Sequence, residues 1–513
     1  MQTPVKIKEL AKYLDGYDEE LKDYIINGFE KGFSLEFKGE RSLKEPNNLR
    51  SAINNKAIAQ EKIDKEVELG RIAGPFESPP IKNLTISPIG LHPKKKPGEF
   101  RLITHLSHPK GRSINDGIAH EDATVQYANI GMAIKMIKEV GKNCYLAKTD
   151  IKNAFRIIPL HQSQYELTGI KLNGFYYIDL NLPQGASSSC AIFEKFSTAL
   201  EWVAKQKLDI PFIIHVLDDF LIVASTKAEC KKQLKRFIKF CNICGIPIAA
   251  DKTIGPFQII EFVGIELDTV NMQARLPESK IKKCMTKIEN VLGKEKASLR
   301  EIQVLSGLLN FACNVVYPGK AFMRRIYNLT IGKYNKNSMI TINDEVKGDL
   351  IMWQKFLKQF NGYCMFMPDR WISNRTLNLY TDAAQSIGFG GILGVEWFIG
   401  KWTEFGRTLD ITTLELYPIV VAVNLWGKKL SNLNLNIHTD NQALVHIINN
   451  QTVKGNANCL SLLRAFVLAC LKNSILIRAH HIPGKDNLMS DLLSRQQVKK
   501  FKEIWQEIPK KFP

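Results

Sequence analysis

The sequence lacks any hydrophobic run long enough to cross a membrane. No stretch of about 18 consecutive apolar residues occurs in the 513-residue chain, although a transmembrane helix requires about that length. The first residues, MQTPVKIKEL, also lack the apolar segment of a secretion signal. We therefore expect an intracellular protein without a membrane partner, and the sequence leaves open whether it resides in the cytoplasm or the nucleus.

The pattern of cysteines gives little sign of a metal site or of disulfides. The ten cysteines are scattered, many of them in apolar surroundings, as is typical of reduced thiols in a protein core. Cys241 and Cys244 have the spacing of metal ligands, but no second such pair and no spaced histidine pair accompanies them. A zinc site is therefore not predicted. Internal repeats and low-complexity tracts are absent as well.

Basic residues are in large excess over acidic ones. Lys and Arg total 70 against 51 Asp and Glu, which gives a formal net charge of +19. Such a balance favours a polyanionic partner, with nucleic acid first and an anionic membrane second. The hydrophobic content of 45% is that of a soluble globular protein, and the length predicts several domains.

The predicted secondary structure divides the chain into five segments. Short helices over 1–75 end at the Pro- and Gly-rich stretch GPFESPP, and an α/β pattern follows over 76–275. A mostly helical segment over 276–375 comes next, and its first part, 276–335, holds 11 Lys and Arg against 4 Asp and Glu. A second α/β pattern covers 376–495, and 496–513 form a tail.

The stretch PFIIHVLDDFLIVA, residues 211–224, predicts a strongly apolar hairpin with two adjacent acids at its turn. Asp218 and Asp219 form either a solvent-exposed turn or a pair that binds a divalent cation, because hard cations prefer carboxylate oxygens. A third acid favours the metal: Asp150 ends a predicted strand in CYLAKTD, where it would join the hairpin acids. Such clusters hold two Mg²⁺ ions in nucleotidyl transfer.

The motifs KTDIKNAF, LPQGASSSCAIF and VLDDFL resemble motifs A, B and C of reverse transcriptases in order and spacing. Upstream, ISPIGLHPKKKPGEFRLITHLSHPKG resembles the fingers segment of that family. Downstream, GIPIAADKT and FVGIELD resemble the palm-lysine motif and the primer grip. The resemblance covers residues 70–275. It implies metal ligands at Asp150, Asp218 and Asp219.

The same resemblance implies that several residues contact the incoming nucleotide. Phe155 falls at the aromatic gate that crowds a ribose 2′-hydroxyl, and its alternative role is plain core packing. Gln184 falls where motif B contacts the nucleotide, and Gly185 completes a turn whose backbone can approach it closely.

Basic residues complete the implied nucleotide site. Arg101, and either Lys94 or Lys95, fall where the fingers hold the triphosphate, although KKKPGEFR is equally explained as a solvated hairpin. Lys252 is a candidate for protonating the pyrophosphate, with an ordinary surface lysine as the alternative. The family often has an aromatic residue where this chain has Val216, a departure that leaves the implied metal ligands intact.

A second set of acids lies at predicted strand ends and helix starts of the C-terminal α/β segment. These acids are Asp382, Glu415, Asp440 and Asp491. Each alone is explained as a helix cap or turn former. Together, over 376–495, they resemble the D-E-D-D site of the ribonuclease H fold, which implies a second two-metal site. His481, with the adjacent His480 as the alternative, matches the loop histidine that assists metal–water chemistry or product release.

Taken together, the resemblances predict an α/β (α+β) multidomain protein. A right-hand polymerase with fingers, palm and thumb would be followed by a connection and an RNase H-like mixed-sheet domain. The implied function is RNA-directed DNA synthesis with RNase H cleavage, dependent on Mg²⁺ or Mn²⁺ with two ions per site. The implied partners are an RNA template, a DNA primer, RNA–DNA hybrid and dNTPs, and the oligomeric state stays open.

A narrower resemblance concerns the origin of the chain. GRIAGPFESPPIKNLTISPIGLHPKK, LELYPIVVAV and HHIPGKDNLMSDLLSR are most similar to DIRS-like, tyrosine-recombinase retrotransposons, and next to gypsy-type elements. Protease, integrase and recombinase motifs are absent, so we expect a polyprotein fragment or a gene copy retaining only these domains.

Two rival functions remain. One is a catalytically silent, domesticated nucleic-acid-binding scaffold, which would be expected to lose acids that this chain retains. The other is an RNA-directed RNA polymerase, against which Phe155 and the nuclease-like segment both count.

Overall fold

The structure, a computed structural model, describes residues 3–94, 98–359, 364–365, 372–373, 379–431, 433–473, 475–483 and 487–507. The chain divides into two units, Met1–Met272 and Gln273–Pro513, and each is described by itself. Within the described ranges, none of the helices has the length and apolar character needed to span a bilayer.

The first unit opens with four helices and then alternates strands and helices. Its helices are α1 (Ile7–Tyr13), α2 (Glu19–Lys31), α3 (Arg50–Ile53), α4 (Lys56–Glu68), α5 (His120–Ala123), α6 (Ile130–Val140), α7 (Ser189–Lys207) and α8 (Lys227–Ile243). Its strands are β1 (Ile72–Phe76), β2 (Ile89–Pro93), β3 (Phe100–Thr104), β4 (Tyr145–Asp150), β5 (Gly169–Leu172), β6 (Phe175–Asp179), β7 (Ile213–Val216), β8 (Asp219–Ala224), β9 (Ile254–Phe257), β10 (Ile259–Phe262) and β11 (Ile265–Asp268).

A four-stranded antiparallel sheet in the order β7-β8-β4-β9 is the centre of this unit. Helix α7 packs on β7, and α8 packs on β4 and β8. Between helices and sheet lie buried aromatic rings, among them Phe193, Phe220 and Phe237. Burial of this apolar surface is the main force that holds the sheet against the helices. The strand pairing places Asp150 opposite Asp219.

The N-terminal helices are part of the same hydrophobic core. Leu10 of α1 and Phe29 of α2 are buried in the cluster that also contains the rings beneath the sheet. The Thr3 hydroxyl donates to the carbonyl oxygen of Ile157 at 2.7 Å. Strand β1 pairs with β6 and spans the position predicted as the first domain boundary.

The second unit begins with a helical part and ends with two three-stranded sheets. Its helices are α9 (Glu278–Leu292), α10 (Leu299–Ala312), α11 (Arg324–Asn328), α12 (Asp344–Gln359), α13 (Glu404–Arg407), α14 (Ile411–Trp426), α15 (Gln442–Asn450), α16 (Ala457–Lys472), α17 (Leu488–Ser494) and α18 (Val498–Glu507). Its strands are β12 (Gln273–Arg275), β13 (Lys296–Ser298), β14 (Met339–Thr341), β15 (Cys364–Met365), β16 (Ile372–Ser373), β17 (Leu379–Ala384), β18 (Gly388–Leu393), β19 (Glu396–Lys401), β20 (Asn434–Thr439) and β21 (Leu476–His481).

Strands β17, β18 and β19 form an antiparallel meander, and β16, β20 and β21 pair in parallel. Two predicted positions are wrong in detail. Asp382 does not end its strand: it pairs with Gly390 inside β17, because pairing with β18 continues to Ala384. Glu415 does not open its helix, because Asp410 caps α14 earlier and leaves Glu415 as the fifth helical residue.

Candidate active sites

The acids of the first unit sit at the tip of the β7–β8 hairpin and at the end of β4. Val216 pairs with Asp219, so Leu217 and Asp218 form a two-residue turn. Asp150, the last residue of β4, is 4% exposed. The amide of Ile151 donates to the carbonyl oxygen of Asp218 at 3.1 Å, which ties the strand end to the turn. We call Asp150, Asp218 and Asp219 the palm acids.

Electrostatics shows that the palm acids lack compensating charge. Burial, and next the charge of Asp150, raises the pKa of Asp218 to about 6, and the same two causes raise the pKa of Asp219. The Lys252 ammonium lies 2.7 Å from Asp150 Oδ2 and supplies part of the missing charge. Lys148 also offsets part of the charge of Asp219. The three carboxylates still form an oxygen donor set that suits Mg²⁺ or Mn²⁺.

Over the part of the chain that is described, no three His, Cys, Asp or Glu side chains already stand as a ready-made metal site. In the palm, the Lys252 ammonium contacts Asp150, one of the three candidate ligands. Cys241 and Cys244, the pair whose spacing alone is that of metal ligands, are two buried free thiols.

The predicted gate lies beside the palm acids along the chain. Phe155 is in a 3₁₀ turn, Ala154–Ile157, that follows β4. Its ring is partly buried and lies edge-on to Phe193, with centroids 5.3 Å apart. The two interpretations made from the sequence are compatible, because one edge of the ring packs on the core while the rest reaches the surface.

The motif B turn is held by a residue that the sequence analysis missed. A Cβ on Gly185 would lie 2.4 Å from the carbonyl oxygen of Thr104, so a side chain here would clash with backbone. The Asn115 side chain donates to the Gly185 carbonyl oxygen at 2.9 Å and accepts from the amide of Ser187 at 2.8 Å. Gln184, at the outside of the turn, is exposed. Asn115 lies 70 residues upstream, and no local pattern connects it to the turn.

The basic candidates of the fingers lie on the β2–β3 hairpin. Arg101 is exposed on β3 and pairs with His92 of β2. Lys94 is exposed and its Nζ lies 3.6 Å from Glu99 Oε2, so its ion pair is with the hairpin itself. Lys95 lies outside the described residues. The hairpin presents positive charge to solvent, as a site for phosphate requires.

In the second unit, Asp382 and Asp491 are held by neighbours from α17 and the residues around it. Ser494 and Asn487 donate to the two carboxylate oxygens of Asp382, at 2.5 and 3.3 Å. Arg495 donates to Asp491 Oδ1 at 2.7 Å. These three donors were not predicted from the sequence, although Ser494 and Arg495 follow Asp491 at the three- and four-residue spacing of one helix face.

Glu415 and Asp382 are the two C-terminal acids whose pKa values are raised. Burial, followed by the charges of Asp440 and Asp382, raises its pKa to about 8. Burial also raises the pKa of Asp382 to about 6, with Ser494 opposing and Asp491 and Asp440 adding to the shift. The Glu415 Oε2 atom is buried without a hydrogen-bond partner. A buried orphan acceptor among acids fits a divalent cation.

The structure distinguishes the two adjacent histidines. His481 Nε2 lies 3.1 Å from the carbonyl oxygen of Asp440, whereas His480 Nε2 lies 3.1 Å from the Asn436 side chain. Parallel pairing of β20 with β21 puts His481 opposite Thr439, next to Asp440. His481 is therefore the histidine that adjoins the C-terminal acids.

Comparison with known proteins places a family domain over the first site. Residues 92–267 match the family described as reverse transcriptase (RNA-dependent DNA polymerase). An enzymatic polyprotein of Cassava vein mosaic virus is 25% identical over 366 residues, 68% of this chain and 52% of the relative. The Pol polyprotein from transposon gypsy of Drosophila melanogaster is 21% identical over 385 residues, 71% of this chain and 34% of the relative. The chain spans about half or less of these relatives.

Solved structures extend the likeness of fold. A foamy viral protease-reverse transcriptase in complex with double-stranded DNA has a TM-score of 0.52 at 16% identity, covering 94% of this chain and 84% of that one. The foamy viral enzyme in complex with RNA/DNA hybrid has a TM-score of 0.51 at 15% identity, covering 94% and 63%. The predicted α/β multidomain polymerase fold is confirmed. Residues 92–267 match the reverse transcriptase family, and the chain is similar to retroelement Pol polyproteins.

Proposed function

We propose that this chain, with its reverse transcriptase domain, copies RNA into DNA and also cleaves the RNA strand of RNA–DNA hybrids. One observation carries the proposal: the palm acids converge on adjacent strands and a turn inside the family domain, and burial together with the charge of Asp150 raises the pKa values of Asp218 and Asp219. Structural carboxylates are normally paired, so a group held short of positive charge is typical of a functional site.

Each chemical role falls to a set of residues already described. Asp150, Asp218 and Asp219 would hold two Mg²⁺ or Mn²⁺ ions, and the four C-terminal acids would hold another two. When bound, these ions activate the attacking oxygen, a primer 3′-hydroxyl or a water, and neutralise charge on the leaving group. The Lys252 ammonium, now on Asp150, holds a proton that the departing pyrophosphate can accept.

The remaining candidates bind and orient the nucleotide. The exposed guanidinium of Arg101 and the ammonium of Lys94 would contact the triphosphate. Phe155 would lie under the sugar, where its ring leaves room for deoxyribose and crowds a 2′-hydroxyl. Gly185 allows the backbone of its turn, with Gln184 at its tip, to approach the base pair.

The C-terminal acids support hybrid cleavage as the second activity. Asp382 and Asp491 are oriented by Ser494, Asn487 and Arg495, while Glu415 has an oxygen without a partner. His481, beside Asp440, is placed to exchange a proton with the attacking water or the product. Nuclease cleavage would remove the template from the hybrid that the polymerase makes.

Nucleic acid is the partner that the charge and the relatives favour. The proposed ligands are an RNA template, a DNA primer and the hybrid formed from them, gripped in part by the basic segment 276–335. The foamy viral neighbours were solved with double-stranded DNA and with RNA/DNA hybrid. We further propose an intracellular retrotransposon origin, DIRS-like first and gypsy-type next, with the five-segment division predicted above.

Primer extension tests the proposal. Wild-type protein is given an RNA template, a DNA primer, dNTPs and Mg²⁺, beside an Asp218→Asn/Asp219→Asn variant. Extension by the wild type alone supports the polymerase and its metal-binding acids. Tight hybrid binding without extension by either protein would favour the silent scaffold. Extension with NTPs in place of dNTPs would favour the RNA-directed RNA polymerase.

A further inference from the structure

The turn that carries Asp218 adopts a backbone conformation that its sequence disfavours. Leu217, the first residue of the two-residue turn, has a φ of +54°. Hairpins with positive φ at this position normally use glycine, since a Cβ is crowded there. A leucine keeps such a conformation only where surrounding contacts impose it. Asp218 and Asp219 directly follow Leu217 in the chain, so the contact that imposes this conformation also affects where they lie.

Helix α7 supplies that contact from beneath the turn. The Leu217 amide donates to Glu194 Oε2 at 3.3 Å. The Glu194 side chain is 13% exposed, so the bond is largely shielded from competing water. By accepting from this amide, the Glu194 carboxylate fixes the peptide plane between Val216 and Leu217. The orientation of that plane sets the direction in which Asp218 leaves the turn.

Glu194 is in turn held by an ion cluster between α7 and β7. The buried His215 imidazole places Nδ1 2.5 Å from Glu201 Oε2 and Nε2 3.2 Å from Glu194 Oε1, the latter without hydrogen-bond alignment. Glu201 also accepts from Lys205 at 2.6 Å. Glu194 and Glu201 are two helical turns apart and so share one face. The His215 ring stacks on Phe220, which follows the palm acids in β8.

We propose that Glu194, held by His215 and Glu201, is a positioning residue that fixes the Leu217 backbone and thereby directs Asp218 and Asp219 towards Asp150. The inference deepens the proposed polymerase function and rests on it for its activity readout. The role is one of positioning, because the contacts of Glu194 are with the Leu217 amide and with His215.

The test compares Glu194→Ala, Glu194→Gln and Glu194→Ala/Leu217→Gly with the wild type. Glu194→Ala removes the acceptor, so the Leu217 amide should exchange faster with deuterium in peptides covering 211–220. Its kcat for primer extension should fall about 10–100-fold, the scale expected for misplaced reactive groups, with little change in the KM for dNTP. Glu194→Gln keeps an amide oxygen in place and should retain most of the exchange protection.

The double variant Glu194→Ala/Leu217→Gly distinguishes a misplaced turn from a general loss of folding. Glycine adopts positive φ without steric cost, so Leu217→Gly should restore much of the kcat lost in Glu194→Ala. A general loss of folding would not be rescued in this way. Ser197→Ala, a buried change on the same helix, is the matched control and should behave as wild type.

Two results would overturn the inference. The first is that the Leu217 amide of Glu194→Ala exchanges as slowly as in the wild type. The second is that Leu217→Gly restores no kcat to the double variant although this variant has the melting temperature of the wild type. Failure of the wild type to extend a primer would instead count against the proposed function. Amide exchange would still decide whether the contact holds the turn.

Discussion

The two acid sites solve the same electrostatic problem differently. The palm acids come from neighbouring strands and a tight turn of one sheet, and a lysine ammonium already contacts one of them. The C-terminal acids come from four different elements. Asp382 lies inside a strand and Glu415 in the second turn of a helix, whereas Asp440 follows a strand and Asp491 lies in another helix. Their partners are mainly a hydroxyl, an amide and one arginine, and Glu415 keeps an unpartnered oxygen.

This difference bears on how each site depends on cations. Lys252 partly neutralises the palm, so its geometry is expected to persist without metal. In the C-terminal site the arginine pairs with Asp491, and burial raises the pKa of Glu415 to about 8, so the Glu415 carboxyl is largely protonated at neutral pH. Metal binding there would displace a proton, which makes the C-terminal site the more sensitive to pH and to cation concentration.

The largest expected effect is a reciprocal loss of activity. Asp150→Asn should reduce primer extension about 10³-fold or more while hybrid cleavage continues, because a ligand worth several kcal/mol in the transition state is lost. Asp440→Asn should do the opposite. Both activities are measured on one preparation of each variant. Loss of both activities in either variant would argue that the sites are not independent or that the chain misfolds.

A smaller effect is expected at the gate, which has no counterpart among the C-terminal acids. Phe155→Ala should lower discrimination against ribonucleotides about 10–100-fold, the scale of a lost steric contact in a pocket. The ratio of kcat/KM for dNTP and NTP measures it. Phe155→Tyr keeps the ring and serves as the control. Equal discrimination in Phe155→Ala and wild type would leave only the core-packing role that the Phe193 contact shows.

These sites also show how far the sequence could predict the structure. The hairpin at Asp218 and the strand before Asp150 follow from local patterns of apolar residues, and the structure has them as expected. Glu415 and Asp382 were assigned to the right elements but to the wrong positions in them. The end of a strand depends on its pairing partner, and the start of a helix depends on its cap. The identity of the acidic residue indicates neither of them.

Side chains that act across the fold could not be found in this way. Asn115 holds a turn 70 residues away, and Glu194 reaches the Leu217 amide from another element. One signal was available: His215 is a polar residue in the apolar run IIHV, and two glutamates seven residues apart face it from α7. A buried histidine needs a partner, but only the packing of α7 on β7 shows which one.

The ion cluster under the palm predicts a pH dependence of its own, which a histidine sets rather than a carboxyl group. Burial alone would lower the pKa of His215, but the neighbouring carboxylates of Glu194 and Glu201 outweigh it and raise this pKa to about 9. The raised pKa means that its stabilisation is fully present below about pH 6.5 and is lost as pH rises through about 9. The melting temperature of the unit that contains His215 should therefore fall by several °C between pH 6.5 and 9.5. This uses a conversion of about 2–4 °C for each kcal/mol of lost stability.

His215→Gln is the control for that measurement, since it removes the titrating group but retains an amide between the two glutamates. The variant should lose most of the decline seen above pH 7. A decline equal to that of the wild type would assign it to other groups.

The smallest effect separates the two sites in the absence of metal. Glu415→Gln should raise the melting temperature of metal-free protein by about 2–4 °C at pH 8, as expected for ~1 kcal/mol in a domain of this size. The sign follows from the raised pKa: the charged form is disfavoured in the fold, so Glu415 costs stability as pH rises from about 4.5 to about 8, and glutamine carries no such cost. At pH 4.5 the variant and the wild type should have the same melting temperature.

In the palm, Asp219→Asn should give a smaller rise in melting temperature, because Lys252 and Lys148 already offset part of the charge of Asp219. If the palm variant gained as much as Glu415→Gln, the lysine would not be compensating its acids, and the contrast between the two sites would be one of geometry alone.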